Sequence, residues 1–317
     1  MKDVLIAVCT PDTENPAARR CLAALMATRL DRAELVIADN RRDPAFSHPV
    51  TMDLLSRVAA GRPMVFMDDD VIVEEPDWLE LLLAEAKANG AAVVGAVHAY
   101  ESGEVNHTGI LVHADCTTRL MRERPEGAVE TPFAPAVSSA LVLVKEPDRL
   151  KFDTSYRKYQ HDTDVCLAAW KGGCRVVCAR GLTVTHAIGG TMGGAAGFRA
   201  VYAGDAARLK KKWGAYVASG LYDLPELAPY REAASLRNYE AEYNRAALLM
   251  ESDRADAVRA FGEFLASGAP ASMLGSAHYH LYGLTGDAAH LTACVALYPG
   301  HAVARAELER LGGKGAG

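Results

Sequence analysis

The stretch Met64-Val65-Phe66-Met67-Asp68-Asp69-Asp70-Val71 runs four apolar residues directly into three carboxylates. A continuous apolar run bounded in this way is the pattern of a strand buried on both faces of a parallel sheet. Burying a carboxylate is costly unless a cation or hydrogen-bond donors compensate, so three in succession place the end of that strand at a site. Side chains alternate along an extended chain, which puts Asp68 and Asp70 on one side and Asp69 on the other. Hard oxygen donors suit magnesium or manganese, with substrate phosphates completing the shell. The alternative is a set of turn acids ahead of Pro76-Asp77-Trp78.

Working outward, strand and helix patterns alternate. Val4 to Cys9 reads as a strand, Pro16 to Thr28 as a helix, Glu34 to Ala38 as a strand that ends at Asp39, and Thr51 to Ala60 as a helix. Beyond the aspartates come a helix from Trp78 to Ala88, strands at Ala91 to Val97, Gly109 to His113 and Ser138 to Val144, and a helix from Asp162 to Trp170 that stops at Gly172-Gly173. Strands at Arg175 to Cys178 and Leu182 to Thr185 finish the set. This alternation predicts an α/β fold, a Rossmann-like, mostly parallel sheet with helices on both faces. Ligands of such sheets bind beyond the carboxyl ends of the strands, where Thr10, Asp39 and the aspartate cluster all fall. The glycine-rich segment from Gly189 to Gly197 reads as a mobile loop beside that crevice.

The chain has 317 residues, of which 50% are hydrophobic and 23% charged, enough for one large domain and a smaller one. No apolar stretch reaches the length of a spanning helix, and the N-terminus carries no secretory signature, so a cytoplasmic protein is expected. Seven cysteines, mostly inside apolar runs, fit reduced core thiols better than a disulfide framework. A net charge of -6 argues against nucleic acid as a partner, and Lys210-Lys211-Lys212 reads as a solvated helix face. Past Tyr222 the pattern becomes alanine-rich and helical, giving an α/β domain over 1–221, a helical domain over 222–311 and a disordered tail over 312–317. Within the helical part, Ala241 to Ser267 and Ser276 to Pro299 share a weak self-similarity at the 33–35-residue spacing of tetratricopeptide-like helix pairs.

Several ordered motifs resemble those of family-2 glycosyltransferases of the GT-A fold, over about residues 3 to 215. These are Met67-Asp68-Asp69-Asp70-Val71, Leu35-Val36-Ile37-Ala38-Asp39-Asn40, Glu104 to Ile110, Ser138 to Val144, His161-Asp162-Thr163-Asp164-Val165-Cys166-Leu167 and Val184-Thr185-His186. The resemblance implies a metal-dependent, inverting transfer of a sugar from a nucleotide-diphosphate sugar to a hydroxyl acceptor, be it a glycan, a lipid-linked sugar or a protein. It implies Asp162 as general base, although an aspartate there is also a favoured helix N-cap. It further implies Asp68, Asp70 and His186 around the metal, with Thr10, Asp12, Asp39, Asp68 and Asp69 toward the nucleotide. Imidazole accepts manganese more readily than magnesium, which favours Mn²⁺.

The chain departs from that family at His161, where a glutamate is usual; the change bears on acceptor contacts or on tuning of the base, and leaves Asp164 as a second candidate base. No glutamine-x-x-arginine-tryptophan motif of processive synthases is present, so single additions are expected. Two other functions compete. A nucleotidyltransferase would carry a glycine-rich basic loop after the first strand, where this chain has Thr10-Pro11-Asp12-Thr13, and a catalytically silent scaffold would bind a protein through the helical part.

Overall fold

The computed structural model describes residues 2–41, 43, 46–187 and 198–313. The expected glycine-rich loop at 189–197 lies outside the described residues. Two compact units emerge, Met1–Leu236 and Arg237–Gly317.

In the first unit, strands and helices alternate as β1 (Val4–Thr10), α1 (Pro16–Met26), β2 (Ala33–Asp39), α2 (His48–Ala59), β3 (Met64–Asp68), β4 (Val71–Ile72), α3 (Trp78–Ala88) and β5 (Ala91–Ala99). The short strands β6 (Val105–His107), β7 (Ile110–Val112) and β8 (Thr118–Leu120) follow, then β9 (Leu141–Val144), α4 (His161–Lys171), β10 (Arg175–His186) and α5 (Phe198–Ser219). The main sheet has the order β2-β1-β3-β9-β5-β10-β4, with β6 against β5, while β7 and β8 pair separately. The pairs β1–β2, β1–β3 and β5–β10 are parallel, whereas β9, β6 and β4 run against their neighbours. β1, β2, β3, β5 and β10 run one way, as the alternation predicts, and the three antiparallel strands make the sheet mixed.

The period-2 alternation of buried strands divides the core in two. Val4, Ile6 and Val8 of β1, Val65 and Met67 of β3, and Leu141 and Leu143 of β9 pack with Cys21 and Leu25 of α1 and Trp78 and Leu82 of α3. Leu5 and Ala7, Met64 and Phe66, and Val142 and Val144 point the other way, toward Met52 of α2, Val165 of α4 and Trp213 of α5. Helices therefore cover both faces. Each fully buried Leu, Phe or Met contributes about 1.5–3 kcal/mol. All seven cysteines are free, and all but Cys174 are buried.

The first unit extends beyond the expected boundary at 221, because the segment after α5 is stitched to the sheet layer. Leu227, Tyr230 and Ala234 are buried in its core. The Tyr230 hydroxyl donates to the Phe133 carbonyl at 2.7 Å, and the Ala114 N–H donates to the Ala234 carbonyl at 2.9 Å. This segment contains the short helix α6 (Arg231–Ser235).

The second unit is helical: α7 (Tyr239–Leu249), α8 (Arg254–Leu265), α9 (Ala271–Thr285), α10 (Ala288–Leu297) and α11 (Ala302–Gly313). Side-chain oxygens of Asn238, Asp253 and Asp287 cap the first turns of α7, α8 and α10. The two self-similar stretches fall on α7–α8 and α9–α10, and α11 runs through Gly313, two residues into the expected tail. Among the described residues no helix is long and apolar enough to cross a membrane.

Candidate active site

The strand register brings the acids together. Cys9 lies beside Asp68 and Thr10 beside Asp39 across β1. The far edge arrives differently: β10 shifts register between Ala179 and Thr183, then pairs antiparallel with β4, His186 opposite Val71. The Ala187 N–H donates to the Asp70 carbonyl at 3.0 Å, and His186 Nε2 sits 3.1 Å from Asp70 Oδ1. Ligand atoms of Asp68, Asp70 and His186 all lie within 4.8 Å of one another.

Asp68 ends β3, while Asp69 and Asp70 occupy the turn to β4, so a turn rather than strand alternation separates their side chains. Asp69 is buried and accepts the Thr10 hydroxyl at 2.6 Å. Burial, opposed by that bond and reinforced by the charges of Asp70 and Asp68, raises its carboxyl above the ordinary range. The same environment pushes the buried Cys21 thiol up to about 12, burial first and the three aspartates next. Thr10 is itself fully buried, and its Oγ1 also accepts the Asp12 N–H at 3.1 Å, so its hydroxyl is turned inward. Asp12 Oδ1 accepts the Glu14 N–H at 3.0 Å in a turn that leads to the Asn15 cap of α1. Asp39 accepts the Arg41 N–H at 2.8 Å and the Thr13 hydroxyl at 2.9 Å, bonds that lower its pKa.

His48 was not legible as a site residue, yet it links both halves of the crevice. Its Nε2 lies 2.9 Å from Asp68 Oδ1 and its Nδ1 lies 3.1 Å from His161 Nε2, which is in turn 3.2 Å from Ser139 Oγ. Burial opposes protonation of His48, but the Asp68 carboxylate outweighs it and raises the pKa; Asp68 is lowered in return. His161 is driven the other way, first by burial and then by His48, and stays neutral.

Asp162 does not cap its helix. Gln160, in the left-handed region at φ 66°, is the cap residue, and Asp162 sits in the first turn of α4, half-buried, accepting the Thr163 N–H at 2.7 Å. Burial raises its pKa despite that bond. Asp164 is only 1% exposed and fully engaged: it accepts from the Tyr156 hydroxyl at 3.0 Å, Trp213 Nε1 at 2.6 Å and Lys212 Nζ at 2.9 Å. Those donors make it an anchor between α4 and α5, whereas Asp162 is held by backbone N–H groups alone and keeps partial exposure.

Lys212 also holds Asp153 at 2.8 Å. Burial works to raise the Asp153 carboxyl, but the Lys212 ammonium and the Ser155 donors hold it down at about 2. A folded pKa below the unfolded one means that this contribution is complete above about pH 4 and is lost as pH falls toward 2. Asp153→Asn is therefore expected to flatten the loss of stability between about pH 4 and pH 2 in urea titrations. An acid limb as steep as that of the parent would contradict the assignment.

The donor set fits a divalent cation. Two carboxylate oxygens and one imidazole nitrogen are ligands that magnesium or manganese accepts, and the buried Nδ1 of His186 has no hydrogen-bond partner among the described residues.

No family model matches the chain. A curated relative, the O-antigen biosynthesis protein RfbC of Myxococcus xanthus, is 26% identical over 156 residues, which is 45% of this chain and 12% of that protein. The chain thus spans a small part of the relative it matches. Among solved structures, the mannosyltransferase PcManGT from Pyrobaculum calidifontis, in complex with GDP-Man and Mn²⁺, superposes with a TM-score of 0.50 at 14% identity, covering 93% of this chain and 86% of that one. GalNAc-T7 with UDP, GalNAc and Mn²⁺ superposes with a TM-score of 0.51 at 11% identity, covering 80% and 58%. Strand order and these superpositions agree: this chain has the GT-A fold of glycosyltransferases.

Proposed function

We propose that the chain is a metal-dependent, inverting, non-processive glycosyltransferase, acting in the cytoplasm on a nucleotide-diphosphate sugar and a hydroxyl acceptor. The observation that carries this reading is the convergence of Asp68, Asp70 and His186 ligand atoms within 4.8 Å at the carboxyl edge of the sheet. A divalent cation, Mn²⁺ in preference to Mg²⁺ because of the imidazole, supplies charge neutralisation for the leaving diphosphate when bound there. Asp162, its pKa raised by burial, takes the proton of the acceptor hydroxyl as that oxygen attacks the anomeric carbon. One displacement by one activated hydroxyl inverts the anomeric centre. Asp39, at the end of β2, faces the nucleoside, while Asp12 and the Thr10–Asp69 bond shape the floor of its site. O-antigen synthesis in the relative makes a glycan or lipid-linked hydroxyl the first acceptor to test, and the helical unit, read as two tetratricopeptide-like pairs, is a place for a protein acceptor.

The test uses the full chain with Mn²⁺ and a panel of donors headed by GDP-mannose and UDP-N-acetylgalactosamine, following diphosphate release and sugar transfer. One donor is expected to turn over, with activity lost in chelator and lowered roughly 100-fold or more by Asp70→Ala. Failure of every common nucleotide sugar, with no nucleoside diphosphate raising the melting temperature, would sink the reading.

A further inference from the structure

The loop that feeds α4 is held by an unusual clamp. Asp205, on α5 and 2% exposed, accepts the successive backbone N–H groups of Arg157 at 3.0 Å, Lys158 at 2.9 Å and Tyr159 at 2.8 Å. Three converging donors satisfy one buried carboxylate and fix the loop backbone. The Tyr159 ring packs edge-on against Tyr202 of the same helix at 5.5 Å. Gln160 then turns the chain into α4, its Nε2 donating to Thr118 Oγ1 at 3.0 Å. The backbone donors of Arg157, Lys158 and Tyr159 are thus engaged by Asp205, and the segment presents two cations, the exposed side chain of Arg157 and the half-buried side chain of Lys158.

The Lys158 side chain makes no ion pair among the described residues, and the charges that bear on it are those of Asp68, Asp70 and Asp69. Burial lowers its pKa and the three acids oppose the shift. His161, three residues on, reaches Asp68 through His48, so the loop lies at the mouth of the crevice and not on a remote surface. A diphosphate entering here meets three carboxylates with one divalent ion to offset them. A second cation beside them reduces that repulsion.

We propose that Lys158 binds the diphosphate of the donor, and that Asp205 is the residue that positions it by clamping the 157–159 backbone. This rests on the transferase reading above. In the step it serves, the bond from acceptor oxygen to anomeric carbon forms and the bond from anomeric carbon to phosphate oxygen breaks. The electron pair stays on the diphosphate, where the Lys158 ammonium meets it, and the acceptor proton passes to Asp162. No co-reactant is needed.

The experiment measures binding to the full chain with Mn²⁺, using whichever of UDP, GDP, CDP, ADP and dTDP gives the largest melting shift, and the matching nucleoside. Lys158→Met is expected to weaken the diphosphate roughly 10- to 100-fold and the nucleoside by less than about threefold, with Lys158→Arg restoring most of the loss. Asp205→Ala is expected to weaken the diphosphate alone, and to add nothing once Lys158 is already Met, because a residue that acts only through another cannot be counted twice. Should Asp205→Ala fail to give the parent melting transition, Asp205→Asn, which keeps one acceptor oxygen, takes its place in the cycle. A parent chain that binds no nucleoside diphosphate would defeat the transferase reading itself. Diphosphate binding by the parent that Lys158→Met leaves unchanged, or Asp205 and Lys158 effects that add, would overturn this inference alone.

Discussion

Asp162→Asn is expected to lower kcat by roughly 10²- to 10⁴-fold while leaving nucleoside diphosphate affinity within about twofold of the parent. The amide has the size of the carboxylate and its carbonyl still accepts the Thr163 N–H, so the first turn of α4 persists. It cannot take a proton from the acceptor. Burial raises the pKa of Asp162, which makes its carboxylate a stronger proton acceptor than an exposed aspartate, as the proposed role of base requires. The rate is expected to fall as pH drops through that raised value, and the variant to lose that limb of the profile. Retention of more than about a tenth of kcat, with the acid limb intact, would move the base elsewhere.

Asp164→Ala is expected to cost about 3–5 kcal/mol of stability in the first unit. The substitution leaves the Tyr156 hydroxyl, the Trp213 indole N–H and the Lys212 ammonium without their common acceptor inside the core. Asp164→Asn keeps an acceptor for the neutral donors, and Lys212 retains Asp153, so a smaller loss is expected there. The three tryptophans, Trp78, Trp170 and Trp213, all lie in the first unit, so their fluorescence in a denaturant titration reports this unit alone. A loss below about 1 kcal/mol for Asp164→Ala would show that the buried network is not an anchor.

Much of this arrangement is legible in the sequence because buried strands announce themselves by apolar runs and acids at their ends have few reasons to be there. Asp39, Asp68 and Asp70 are readable on that ground, whereas His186 is pointed to only by the family resemblance, and the register of β1, β2, β3 and β10 carries all four to one edge. Strand direction was not readable: Leu141 to Val144 is as apolar as β3, yet β9 runs antiparallel to both its neighbours, and a strand buried on both faces carries no mark of its direction. The sequence does not mark His48, because its periodicity places the helix start at Thr51. Pro49 instead occupies its first turn, where a missing N–H is harmless, and α2 begins at His48 itself. Asp205 could not have been found locally, since its partners lie 46 to 48 residues away. Asp162 and Asp164 look alike in sequence, and only tertiary contacts separate a partly exposed carboxylate from a saturated one. The boundary of the first unit moved to Leu236 for a related reason: helical periodicity does not reveal which core a helix joins.

The central claim is that Asp68, Asp70 and His186 hold one divalent ion that grips a diphosphate. Titrating Mn²⁺ into the full chain while following the paramagnetic signal of the free ion, with and without nucleoside diphosphate, tests it most directly. One site per chain is expected, tightened by the diphosphate and weakened roughly 10- to 100-fold by either Asp70→Ala or His186→Ala. Binding in both variants equal to that of the parent, or no binding by the parent in the presence of any diphosphate, would contradict it.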